Sequence, residues 1–129
     1  MNFLQDKKAE IYALGRIVFG FLFMLHGIGK LTAGGAPDYM WAWAFWVAGL
    51  LETIGGALIV VGLFGQIAAF LCSGLMAVAF FSMHFNLGGG IEGWNPLTNK
   101  GELAVLYCFG FLVMAANGTG TWSVDAKRE

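Results

Sequence analysis

Four stretches of this chain, residues 11–31, 40–64, 67–85 and 101–118, are strongly apolar and are bounded by Gly, Pro or ionisable residues. That pattern constrains the fold more than any other feature. A helix rises 1.5 Å per residue, so about 20 residues cross the ~30 Å hydrocarbon layer of a bilayer. The first three stretches meet that length. The fourth is short: its strictly apolar part, 103–116, covers only ~21 Å, so it must recruit its flanks or thin the bilayer locally. Hydrophobic residues make up 58% of the 129 positions and charged residues 12%. A soluble domain of this size has too much surface for its volume to hide so many apolar side chains. The expected fold is all-α, a transmembrane four-helix antiparallel bundle, with 1–129 forming one membrane domain.

Lys7 and Lys8 precede the first stretch and small residues at 32–36 follow it, which raises the reading of a cleaved signal peptide. The apolar part is too long for one and carries Arg16, His26 and Lys30, so a retained helix is expected. The very short connection at 62–66 makes the second and third spans antiparallel neighbours. An even number of spans puts both termini on one side. Lys7, Lys8, Arg16, Lys127 and Arg128 lie there, against Lys30 and Lys100 opposite. Cytoplasmic segments are the richer in Lys and Arg, so both termini are expected in the cytoplasm. Trp41, Trp43, Trp46 and Trp94 then suit the outer interface and Trp122 the inner one.

Ionisable and amide side chains inside these spans carry the functional information. A charge in hydrocarbon costs at least ~2.5–3.5 kcal/mol on insertion scales, so it needs a partner, a water pocket or an escape to the interface. His26 and Lys30 are four residues apart, on one face near the outer end of the first helix. Glu52 lies roughly 16 Å down the second helix. Its neighbours on the same stripe, Ala48, Gly55 and Gly56, are small, which places it against another helix and away from lipid. His84 and Asn86 end the third helix, and Glu102 opens the fourth. His26, Lys30, Glu52, His84 and Glu102 are therefore the expected pocket, in the outer half of the bundle. Arg16 and Asn86 are read as structural or interfacial, Arg16 by snorkelling to the inner headgroups. The halves repeat weakly, pairing His26 with Glu52 and His84 with Glu102.

Cys72 and Cys108 sit in apolar runs without metal-ligand spacing and read as buried thiols; their depths differ by ~10 Å, too far for a disulfide. No metal site is expected. The net charge of −1 and the lack of any basic tract give no footprint for nucleic acid.

The stretches RIVFGFLFMLHGIGKL from Arg16, ETIGGALIVVGL from Glu52, KGELAVLYCFGFLVM from Lys100 and GTGTWSVD from Gly118 together resemble the DoxX family of small bacterial four-helix membrane proteins. The resemblance covers nearly the whole chain. It implies a multi-pass protein of the bacterial inner (plasma) membrane with both termini inside. It implies Arg16, Lys30, Glu52 and Glu102 as the family's Arg, Lys and Glu positions. Some relatives are described as the membrane subunit of a thiosulfate:quinone oxidoreductase, and others associate with redox-stress enzymes.

Two functional readings follow. In the first, the chain is the membrane subunit of a redox system and its pocket binds a quinone, the one cofactor expected. A quinone needs an apolar slot, donors for its carbonyls and a proton route. In the second, it is a non-catalytic scaffold that stabilises membrane or peripheral redox partners through small-residue faces, or a homo-oligomer. Haem ligation by His26 and His84, and solute transport, are weaker readings.

Overall fold

The computed structural model describes residues 2–129. Helix α1 (Asn2–Asp6) leads into α2 (Lys8–Leu31), and α3 is Ala42–Val61. Helix α4 (Gly65–Ala79) runs on as a π turn over Phe80–His84. A 3-10 turn (Leu87–Gly89), the short α5 (Gly90–Trp94), α6 (Glu102–Asn117) and α7 (Val124–Arg128) complete the chain. Three helical segments are long and apolar enough to cross a membrane, and α6 is the shorter fourth. No strand occurs among the described residues.

The ends of the helices differ from the sequence expectation for local reasons. The second span stops at Val61 because Gly62 takes the left-handed conformation, with the amides of Gly62 and Leu63 both donating to Leu58 O. The first starts earlier, at Lys8, because a solvated helical turn continues below the apolar stretch. The third ends in a π turn, closed by the Phe85 amide on Phe80 O, instead of regular helix to 85.

Two antiparallel pairs build the bundle. Helix α2 lies along α3 on a glycine seam: a Cβ on Gly56 would sit 2.6 Å from the Met24 amide nitrogen and 2.7 Å from Gly20 O. Such contact between backbones is what small residues allow in lipid, where burial of apolar surface gives no drive to pair. Helix α4 lies along α6, pinned by the Ser73 hydroxyl donating to Cys108 O at 2.7 Å, which sets Cys72 and Cys108 near one level and not at the different depths expected from the sequence. The pairs meet where Cys72 fills the space beside Gly55. Between them, α2 and α6 face each other through aromatic rings. Phe23 and Phe111 are 4.8 Å apart between centroids, and Tyr107 stacks on Phe111 at 5.6 Å. The outward surface is a wall of exposed Leu, Ile, Val and Phe, among them Leu50, Ile54, Ile67, Phe70 and Phe109. An apolar surface that continuous marks contact with lipid.

The end of the bundle holding both termini is closed by Arg16, which does not snorkel. It is 2% exposed. Its Nη1 donates to Ile59 O and Val60 O at 2.7 and 2.9 Å, and its Nη2 to Thr121 O and Trp122 O at 3.2 and 2.8 Å. The guanidinium thus satisfies carbonyls at the C-terminus of α3, where the helix dipole also favours a cation. Tyr12 adds a hydrogen bond to Gly118 O at 2.7 Å.

Candidate functional site

At the opposite end, where connections 32–41 and 85–101 lie, residues of both pairs line a cavity of about 790 Å³. Its walls are mainly apolar, from Phe23, Phe45, Ala48, Met76, Ala79 and Ala104. Lys30, Glu52, His26 and Tyr107 supply polar groups on one side of it, and His84 and Lys100 on another.

Helix register sets the depth of each group. Gly27 packs on Thr53 and Gly49, so His26 lies level with Glu52. Gly55 packs on Cys72, which puts Glu52 level with Leu75 and Met76 on α4. Tyr107 meets this level from α6, its ring edge-on to His26 at 5.9 Å. Lys30 is one turn nearer the mouth and reaches down to Glu52, with Nζ donating to Oε2 at 2.6 Å. Glu52 is only 3% exposed. A lone carboxylate there would be held out of water without compensation; the lysine supplies the opposite charge and a charge-assisted hydrogen bond. Together these groups make a polar floor near mid-bundle.

His84 stands roughly 12 Å further along the axis, at the mouth. Its Nδ1 is 3.2 Å from Asn99 O. A carbonyl only accepts, so Nδ1 is the donor in this contact. Asn99 in turn donates to Gly93 O and accepts from the Gly101 amide, which fixes the loop over the mouth. Lys100 completes the rim with a left-handed backbone, φ 64°.

The family model described as DoxX matches residues 11–85. The chain belongs to the DoxX family. It is 36% identical to an uncharacterized protein of Haemophilus influenzae, over 98% of this chain and 97% of that protein. It is 32% identical to the inner membrane protein YqjF of Escherichia coli, over 87% of each. No solved structure is a significant match.

Of the residues expected to form a pocket, this DoxX bundle brings four to one cavity: His26, Lys30, Glu52 and His84. They span floor and mouth instead of sharing one depth. Glu102 is not among them. It is exposed in the first turn of α6 and does not line the cavity, so the second half of the supposed repeat, His84 with Glu102, does not form. Asn86 also stays outside the cavity; its side chain accepts from the Gly88 amide and its own amide donates to Gly93 O. Of the small residues that suggested a scaffold, Gly20, Gly27, Gly49 and Gly56 pack within the DoxX chain at the α2–α3 seam, while Gly15, Gly29 and Gly74 have open space beside them. Sequence reasoning missed Tyr107, Asn99 and Lys100. Only Tyr107 left a signal: a phenol in the middle of an apolar span usually needs a polar neighbour.

Proposed function

We propose that this chain is the quinone-binding membrane subunit of a redox system in the bacterial inner membrane, with the cavity as its binding site. The observation that carries the reading is the Lys30–Glu52 pair at the floor of a mainly apolar cavity. A quinone ring is apolar with an acceptor at each end. Lys30 gives one N–H to Glu52 and retains others for a carbonyl oxygen. His26 and the Tyr107 hydroxyl stand at the same level. Reduction of a quinone consumes two electrons and two protons. The electrons would come from a partner redox protein, and Glu52 and His84 are the groups suited to pass protons from floor and mouth. A cavity of this volume lies within the range of small-molecule sites, and holds a ring with a short stretch of tail.

The test is titration of the purified chain in lipid nanodiscs with a short-tailed ubiquinone analogue, followed by tryptophan fluorescence, to which Trp43 on the cavity wall contributes. Saturable quenching is expected. Glu52→Gln and His26→Ala should each weaken it about tenfold, the effect of losing one strong hydrogen bond. Absence of saturable binding, or binding indifferent to Glu52→Gln, overturns the reading.

A further inference from the structure

Helix lengths at the cavity end do not match. Helix α2 stops at Leu31, while its partner α3 continues beyond that level to Ala42. Helix α6 starts opposite Phe80, whose ring a Cβ on Gly101 would meet at 2.6 Å, while α4 runs on through the π turn to His84. With 16 residues, α6 measures about 24 Å, short of the ~30 Å hydrocarbon layer. The missing level is occupied by connection 85–101.

That connection has the surface of a lipid-facing element. Leu87 is 79% exposed, Ile91 70% and Leu97 72%, with Trp94 half-exposed beside them. Glu92 is the one ionisable residue between 86 and 99. Much of its backbone outside the first turn of α5 is also tied down within the segment. The amides of Asn86, Gly89, Asn95, Thr98 and Asn99 donate to carbonyls within the segment, and those of Gly88 and Leu97 to its asparagine side chains. Each such bond removes an amide that would otherwise need water, which suits a loop at the edge of hydrocarbon.

We propose that residues 87–97 form a lipid-seated cap whose partner is the headgroup–acyl boundary of the bilayer. The cap supplies the length that α6 lacks. It is clasped to the cavity mouth through Asn99, so the mouth at His84 opens beside lipid, and an apolar ligand enters from the bilayer. The cap rests on the membrane-spanning fold and not on the quinone reading, and its test requires no ligand.

The experiment attaches a nitroxide to Ile91→Cys and, separately, to Leu97→Cys in the full chain reconstituted in phosphatidylcholine vesicles. Collisions with oxygen, which concentrates in lipid, are compared with collisions with a water-soluble nickel chelate. Lys127→Cys on exposed α7 gives the aqueous reference, and the unsubstituted chain gives the background from Cys72 and Cys108. Both replaced side chains are exposed, so folding does not depend on them. The expected result at Ile91 and Leu97 is strong relaxation by oxygen and loss of the chelate effect seen at Lys127. Chelate access equal to that at Lys127 would place the cap in water and overturn the proposal. Shielding from both reagents would mean that protein covers the face, and would overturn it equally.

Discussion

Arg16 shows how much a single intramembrane side chain can hold. Its planar fork presents donors in two directions, and here they reach the end of α3 and the backbone at 121–122 together. The sequence offered no view of this. An arginine near the end of an apolar helix looks free to reach headgroups, and its partners lie 43 to 106 positions away. Arg16→Met would strand the carbonyls it now satisfies, a loss on the order of 2–3 kcal/mol. The expected outcome is a lower thermal midpoint in detergent. Arg16→Lys should recover little, because an ammonium is a compact donor that cannot serve both pairs of carbonyls. Wild-type stability in the lysine variant would show that charge alone, and not the fork, closes this end.

Among elements, the join between α7 and α4 is held by a titratable carboxyl. The amides of Phe64 and Gly65 begin α4 and donate to Asp125 at 3.0 and 2.9 Å, while the Asp125 amide donates back to Gly62 O. Ser123 caps α7 by accepting from the Ala126 amide. The Gly65 amide, then that of Phe64, with the Arg128 and Arg16 charges behind them, hold the Asp125 carboxyl below the ordinary carboxylate range. A pKa depressed by folding contributes stability that is complete above the unfolded value and is lost as pH falls through the folded one. The join should therefore hold at neutral pH and loosen only in acid, below the usual aspartate range. Amide exchange at Phe64 and Gly65, corrected for its intrinsic pH dependence, reads this directly. Asp125→Asn should show weaker protection at neutral pH and no acid step. An acid step of the same size in that variant would assign the change to another group.

At the scale of the molecule, the helical architecture was legible because bilayer thickness fixes how long an apolar run must be. The placement of Glu52 at a helix contact was legible too, since Ala48, Gly55 and Gly56 mark a face that another backbone approaches. Depth was not. It depends on how the pairs slide against each other, which the glycine seams decide and no single helix encodes. Glu102 illustrates the limit: a carboxylate in the first turn of a helix is favoured by the dipole whether or not it faces a site. The same knowledge sharpens the question of orientation. Arg16 is now a buried structural group and Lys30 is neutralised by Glu52, so neither belongs in a count of free cations. Lys7 is likewise paired with Glu10 at 3.4 Å, so Lys8, Lys127 and Arg128 remain at the end holding the termini, against Lys100 at the other. The bias towards the termini is steeper than the raw count, and positive charge is retained on the cytoplasmic side during insertion. Alkaline phosphatase, active only outside the inner membrane, should be inactive when fused after Glu129 and active when inserted after Gly35 in connection 32–41. The reverse pattern would turn the bundle over. It would put the mouth of the cavity, with His84 and the 87–97 cap, at the cytoplasmic face, and protons for the cavity would then be drawn from the cytoplasm.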